Sequence, residues 1–192
     1  ALVEHDFKCP AGLMMTSFRV ARSEEGGPNL FRYTCCKLSE GFDTCQTKQT
    51  LLNTDGGRSA LSLKEHDVEC AVGQGLVHWQ LKPLNGNTHI LFKCCSPGGS
   101  MSFGTCRDIS ASVAHPGEEV ADSTFHRLQC DPGWALSGWR LNNKDERHNN
   151  VKYTCCPVGR VVSLGETPKA CSWVNDRHFT TFDGSRLYAA SN

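Results

Sequence analysis

Apolar and polar residues alternate in short segments that recur three times along the chain. In each copy an aromatic residue is followed two positions later by an aliphatic one, in the pairs Phe18/Val20, Trp79/Leu81 and Trp139/Leu141. A period of two places these side chains on one face of a strand. After a polar stretch rich in Gly or Asn, each copy continues into a second apolar segment, which contains Tyr33, Phe92 or Tyr153. Each copy therefore predicts a β-hairpin with one buried face.

Twelve cysteines follow the same threefold repeat. Each copy closes on a Cys-Cys doublet, with one single cysteine before it and another after it. The preceding cysteines are Cys9, Cys70 and Cys130, the doublets are Cys35–Cys36, Cys94–Cys95 and Cys155–Cys156, and the following cysteines are Cys45, Cys106 and Cys171. An internal repeat of this kind determines the architecture. It predicts a single domain over 1–192, with repeats at approximately 1–45, 46–106 and 107–171.

The segments between the copies are similar in length, and residues 172–192 joined to the first residues of the chain would supply a third connector. The simplest arrangement is a closed ring. We therefore predict an all-β, β-prism-like fold, with three disulfide-stapled repeats around a pseudo-threefold axis. In this arrangement residues 172–192 return to pair with the first repeat, and the two termini lie close together.

An even number of cysteines in a periodic arrangement is typical of disulfides formed in an oxidising compartment. Zinc is the alternative, but adjacent cysteines are poor ligands for one tetrahedral ion. Sequence alone does not fix the connectivity. The ring favours one bond within each repeat and one bond to the preceding repeat. The expected bonds are Cys9–Cys35, Cys70–Cys94, Cys130–Cys155, Cys45–Cys95, Cys106–Cys156 and Cys36–Cys171.

Composition and sequence motifs argue against several classes of function, and we expect a binding role outside the cell. The 20 Lys and Arg residues equal the 20 Asp and Glu residues, so the basic field of a nucleic-acid binder is missing. No apolar run approaches the roughly 18 residues that a spanning helix requires. The sequence contains no hydrolase, zinc-protease or phosphate-binding motif, and disulfide formation would leave no thiol nucleophile, so we expect neither an enzyme nor a cofactor. The chain starts Ala-Leu-Val-Glu, and we expect it to be a segment of a larger secreted protein.

The segment 130–139, Cys-Asp-Pro-Gly-Trp-Ala-Leu-Ser-Gly-Trp, carries the strongest likeness to known families. It resembles the Cys/His-rich C-terminal domain of the proprotein convertase that targets the LDL receptor, and the C-terminal β-rich domain of apicomplexan perforin-like proteins. Both likenesses imply three β-units around a pseudo-threefold axis. The convertase domain has three disulfides per unit where this chain has two, which favours the perforin-type relative. That likeness implies a domain that helps a secreted pore-forming protein engage target membranes. We therefore expect docking of a pore-forming or adhesive protein onto membrane lipid head groups, or onto a cell-surface receptor or glycan.

A second likeness lies near the end of the chain. Residues 171–184 are similar to the opening of a von Willebrand type D domain. Either the parent protein continues into such a domain, or this segment is the third connector of the ring. The type D alternative favours a different function, a protein–protein interaction module within an extracellular matrix or regulatory protein.

Three histidines occupy equivalent positions, four residues before the first cysteine of each repeat. In a strand this spacing places them on the inward face. Three imidazoles near a threefold axis are candidate ligands for zinc or another divalent metal. The alternatives are buried, hydrogen-bonded histidines and a core that responds to pH, because imidazole titrates near pH 6.5. The three residues are His5, His66 and His126.

Two surface features are candidate binding sites. The apolar, glycine-flanked loops after the second and third doublets are candidates for insertion into lipid, the alternative being that they pack under the ring as core. Their residues are Met101, Phe103, Val161, Val162 and Leu164. The basic residues around the third hairpin loop are candidates for binding a sulfated glycan or a lipid head group, the alternative being a solvated face. These residues are Arg140, Lys144, Arg147 and Lys152.

Overall fold

A computed structural model describes residues 6–21, 30–52, 66–112, 127–145, 148–160, 173–174, 178–180 and 186–188. Within these ranges the chain is all-β and contains no helix, as predicted. The strands are β1 (Asp6–Lys8), β2 (Leu13–Ala21), β3 (Leu30–Lys37), β4 (Phe42–Gln49), β5 (Asp67–Glu69), β6 (Gly75–Leu84), β7 (Asn87–Pro97), β8 (Met101–Phe103), β9 (Arg107–Ser112), β10 (Arg127–Gln129), β11 (Trp134–Asp145), β12 (His148–Arg160), β13 (Trp173–Val174), β14 (His178–Thr180) and β15 (Arg186–Tyr188).

The three predicted hairpins are present as β2–β3, β6–β7 and β11–β12. We call them hairpins 1, 2 and 3. A short entry strand precedes each of them, and a turn with glycine at the same position joins the two. Gly12, Gly73 and Gly133 have φ angles of 77°, 81° and 79°. Residues with a Cβ rarely adopt this left-handed conformation, so glycine permits the same turn in all three repeats.

Each entry strand pairs with the hairpin of the next repeat. Strand β1 pairs with β6 of hairpin 2, β5 with β11 of hairpin 3, and β10 with β2 of hairpin 1. At each junction the cysteine that follows the entry strand donates its N–H to the carbonyl of a bulged residue, at 2.9–3.0 Å, in the pairs Cys9–Val77, Cys70–Ser137 and Cys130–Thr16. The exchange is cyclic, and pairing of β10 with β2 closes the ring.

The disulfides reinforce this exchange. Three bonds connect an entry strand to the hairpin of its own repeat, although the backbone of that strand pairs with the hairpin of the next repeat. Two further bonds connect β4 to hairpin 2 and the start of β9 to hairpin 3. The described bonds are Cys9–Cys35, Cys70–Cys94, Cys130–Cys155, Cys45–Cys95 and Cys106–Cys156. These five predictions are confirmed. Cys36 is also disulfide-bonded, and Cys171, its predicted partner, lies outside the described residues.

The core lies where the three hairpins meet. Phe18, Trp79 and Trp139, the equivalent aromatic residues of the three repeats, are all buried. The Trp79 ring lies 5.0 Å from both the Phe18 and the Trp139 ring, and it stacks on Phe7 of an entry strand at 4.2 Å. Such aromatic pairs contribute roughly 0.5–1.5 kcal/mol each beyond the area they bury. The period-two alternation therefore predicted the buried face correctly.

The C-terminal segment contributes three short strands to the described structure. Strands β13, β14 and β15 form an antiparallel sheet, and β14 lies beside β3 of hairpin 1, with Cα atoms within 8 Å. The chain termini and most of residues 172–192 lie outside the described residues. Pairing of this segment with the first repeat and proximity of the termini therefore stay predictions. No helix in the described part of the chain is long and apolar enough to cross a membrane.

Candidate functional site: a row of arginines on hairpin 1

Three equivalent rows of side chains cross the hairpins on the face opposite the core. Each row takes one residue from an entry strand and one from each strand of the hairpin. On hairpin 1 the residues are Arg127, Arg19 and Arg32, which we call the arginine row. On hairpin 2 they are Asp6, Gln80 and Leu91. On hairpin 3 they are Asp67, Arg140 and Lys152, which we call the balanced row.

The arginine row places three positive charges directly opposite one another on adjacent strands. Arg19 lies in the middle, in register with Arg127 on one side and Arg32 on the other. Residues at such positions have Cβ atoms about 4.5–5.5 Å apart, and like charges there destabilise a sheet. Burial lowers the pKa of Arg19, and the charges of Arg32 and Arg127 lower it further. The row is thus a local concentration of positive charge in a chain whose net charge is zero.

No described carboxylate forms an ion pair with Arg19 or Arg127. Of the described acidic residues, Asp131 lies beside the row, and it forms an ion pair with Arg107. The Arg107 guanidinium in turn lies over the Trp134 ring, 4.4 Å from its centroid. This ion pair engages the only described carboxylate that lines the cleft beside the row, so the described cleft wall keeps a net positive charge.

A cleft of about 280 Å³ opens beside the arginine row. Its walls combine the three arginines with small polar side chains and two aromatic ones. The Ser17 hydroxyl donates a hydrogen bond to the Thr34 hydroxyl at 2.8 Å, and the Tyr33 hydroxyl donates to the Lys8 carbonyl at 3.2 Å. The uncharged polar and aromatic residues on the walls include Ser17, Thr34, Gln129, Tyr33 and Trp134. This composition suits a small anionic ligand that also carries hydrogen-bonding groups.

The balanced row has the same position on hairpin 3 but carries its own counter-charges. Asp67 lies 3.8 Å from Arg140, and Asp108 on the neighbouring strand β9 lies 2.6 Å from Lys152. Hydrogen bonds from Lys152 and from the Thr154 hydroxyl lower the pKa of Asp108. The groove beside this row measures about 110 Å³. Neutralised charges and a smaller groove make hairpin 3 the weaker candidate for binding anions.

The basic patch predicted around the third hairpin loop therefore has a different setting from the one expected. Arg140 and Lys152 do lie side by side, but each has an acidic partner. The side chain of Lys144 and the whole of Arg147 lie outside the described residues. A role of these four residues in ligand binding stays a prediction, which the ion pairs weaken.

The predicted histidine site is described for one repeat. His66 is buried, with 1 % of its surface exposed, so the inward direction predicted for it is confirmed. Its Nδ1 lies 2.7 Å from the Thr50 hydroxyl oxygen, which also accepts the Ile90 N–H at 2.9 Å. His5 and His126 lie outside the described residues, among which no group of three potential metal ligands occurs. Metal binding and pH sensing by the three histidines stay predictions.

The predicted lipid-binding loop after the second doublet forms strand β8, which pairs with β12. Met101 and Phe103 on this strand are half-buried and pack against a second hydrophobic cluster, which includes Met14, Val77 and Val158. This packing agrees with the alternative that the loop belongs to the core. Val161, Val162 and Leu164 lie outside the described residues, and lipid insertion stays a prediction.

The arginine row is a feature that analysis of the sequence missed. The available signal was the charge of the residue three positions before the first cysteine of each repeat. This residue is acidic in the first two repeats, as Asp6 and Asp67, and basic in the third, as Arg127. This change of charge predicts a cluster of arginines only when it is known that the entry strand of the third repeat pairs with hairpin 1.

Comparison with known proteins leaves the family open. A scan against protein-family models found no match, and searches of curated proteins and of solved structures found none either. The likenesses to the convertase and perforin-type domains and to the type D domain therefore stay predictions from sequence. The fold and the arginine row carry the functional argument.

Proposed function

We propose that the chain is a non-enzymatic binding module of a larger secreted protein, and that it docks onto negatively charged groups at a cell surface. The observation that carries this proposal is the arginine row, in which Arg19 and Arg127 have no described acidic partner. Three like charges in register oppose folding, whereas an anion between them removes the repulsion. The planar guanidinium group binds carboxylate, sulfate or phosphate through two parallel hydrogen bonds.

The scaffold supports a docking role. Five described disulfides and the cyclic exchange of entry strands hold the cleft walls before any ligand arrives. A site that is already ordered loses little conformational entropy on binding. The disulfides also indicate an oxidising compartment, which agrees with a secreted parent protein. The resemblance to perforin-type domains extends the proposal to a pore-forming or adhesive parent.

Cell binding of the full, disulfide-intact chain tests the proposal. We expect labelled protein to bind cultured cells, and we expect added polyanions or raised salt to release it. Arg19→Gln should weaken binding by about tenfold, because a hydrogen bond to a charged group contributes roughly 1.5–3 kcal/mol. Arg140→Gln, the same change at the equivalent position of the balanced row, is the matched control and should bind as the wild type does. Failure of the wild-type chain to bind cells would overturn the proposal, as would equal losses in the two variants.

A further inference from the structure

We infer that the ligand of the arginine row is an acidic sugar, a glycan unit that carries sulfate or carboxylate groups. This inference rests on the proposed docking function and names the chemical class that the same site recognises. Three features of the cleft lead to it: the length of the row, the polar and aromatic side chains of the walls, and the absence of exposed large aliphatic side chains among the described residues that line it.

The length of the row exceeds one anionic group. Neighbouring strands lie about 4.8 Å apart, so three strands place the outer arginines roughly 10 Å apart. A single sulfate or phosphate reaches only part of such a row. Two anionic groups on adjacent rings of a glycan match its span, because neighbouring sugar units separate their substituents by comparable distances. The row therefore favours a ligand with anionic groups in series.

The cleft walls supply what the uncharged parts of a sugar require. Ser17 and Thr34 offer hydroxyl groups, and Gln129 offers an amide that both donates and accepts hydrogen bonds. Tyr33 and Trp134, whose ring the Arg107 guanidinium covers on one side, add aromatic surface, on which the C–H face of a sugar ring packs. A cleft of about 280 Å³ accommodates one sugar ring with its substituents, and the remaining sugar units of the glycan would lie outside the cleft.

A lipid surface is the competing source of negative charge, but the described residues of the cleft do not include the exposed large aliphatic side chains that usually accompany membrane docking. Proteins that dock onto a bilayer insert apolar side chains beside their basic residues. The large apolar residues that are exposed within the described ranges do not line the cleft. They are Leu51, Leu52, Val72 and Leu84. A positive charge with no exposed large aliphatic side chain beside it, as the described residues of the cleft show, favours a hydrated polyanion over a membrane.

Isothermal titration calorimetry of the full chain with defined ligands tests the inference. The probes are a heparin-derived tetrasaccharide, its desulfated and N-acetylated counterpart, inorganic sulfate at matched ionic strength, and vesicles of phosphatidylcholine with and without phosphatidylserine. We expect the sulfated tetrasaccharide to bind at least about tenfold more tightly than the desulfated one, because charge-assisted hydrogen bonds dominate the contact. We expect inorganic sulfate and the vesicles to bind weakly.

Variants locate the binding. Arg19→Gln and Arg127→Gln should each weaken tetrasaccharide binding by about tenfold. Arg19→Lys, which keeps the charge and loses the planar fork, should cause a smaller loss. Arg140→Gln should bind normally, and circular dichroism with disulfide mapping should show that every variant is folded.

The outcomes separate the inference from the proposed function. A chain that bound only phosphatidylserine vesicles, or only inorganic sulfate, would overturn the acidic-sugar inference and leave the proposed surface docking standing. Tetrasaccharide binding that survives Arg19→Gln and Arg127→Gln would overturn the assignment to the arginine row. A wild-type chain that binds neither cells nor any anionic probe would overturn both.

Discussion

The arginine row and the balanced row occupy equivalent positions on two hairpins of one fold, but the first carries three positive charges and the second pairs its basic residues with acidic ones. On hairpin 3, Asp67 and Asp108 neutralise the two basic residues. On hairpin 1, the position equivalent to Asp67 holds Arg127, and the charges accumulate. The scaffold accepts either arrangement because the rows face away from the core. The difference teaches that the charge pattern, and not the fold, distinguishes a candidate binding face from a stabilising one.

The largest expected effect comes from cutting the bond that holds the entry strand of the arginine row. Cys130→Ala with Cys155→Ala opens a loop with a sequence separation of 25 residues. Loop entropy predicts a loss of about 3–4 kcal/mol in the free energy of unfolding, and Arg127 should lose its fixed position beside Arg19. Urea unfolding and binding to the sulfated tetrasaccharide measure the two effects.

Hairpin 3 supplies the matched control. Cys70→Ala with Cys94→Ala opens a loop with a sequence separation of 24 residues, and frees the entry strand that carries Asp67. We expect a similar loss of stability with tetrasaccharide binding retained. If both double variants lost binding alike, then general destabilisation would explain the effect, and the distinction between the two rows would fail.

A smaller effect is expected from converting the balanced row into an arginine-like row. Asp67→Arg with Asp108→Asn removes both ion pairs and opposes like charges across three strands. Lost surface pairs and new repulsion together predict a fall of about 1–2 kcal/mol in the free energy of unfolding. We also expect a second, weaker binding site for the sulfated tetrasaccharide, because the groove there is about 110 Å³ against about 280 Å³ on hairpin 1.

Calorimetric stoichiometry measures this gain, and Asp67→Asn with Asp108→Asn is the control that removes the acids without adding an arginine. A double Asn variant that binds as much tetrasaccharide as the Arg variant would mean that unmasking Arg140 and Lys152 is sufficient. A stoichiometry that stays at one site per chain would mean that the shape of the cleft, and not its charge, selects the ligand.

Much of the fold follows from local signals in the sequence. The alternation around Trp79 identified the buried face, and the ring inferred from the cysteine repeat predicted the five described bonds. These features are local or periodic, so they can be recognised by aligning the three repeats of one sequence with one another. The cysteine pattern did not reveal that each entry strand crosses to the next hairpin, because its disulfide ties it to its own.

The arginine row depends on that crossing. Arg19 and Arg32 belong to the first repeat and Arg127 to the third, and only the pairing of β10 with β2 brings them together. The sequence therefore pointed to Arg140 and Lys152, which are close in one hairpin, and missed the nearby Asp67 and Asp108. Contacts between distant segments decide which charges are neutralised, and no periodicity in the chain encodes them.

The smallest effect expected is also the one that tests the cost of the arginine row to the fold. Arg127→Gln relieves the repulsion on Arg19 and should raise the free energy of unfolding by about 0.5 kcal/mol, or about 1–2 °C in Tm. Asp67→Asn, at the equivalent position, removes an ion pair and should change Tm in the opposite direction. Thermal melts at low salt measure both, because salt screens such contributions. Added sulfated tetrasaccharide should raise the Tm of the wild type more than that of Arg127→Gln, since only a ligand that binds the folded state stabilises it. If Arg127→Gln instead lowered Tm without ligand, Arg127 would be a structural residue, and the comparison between the two rows would lose its functional meaning.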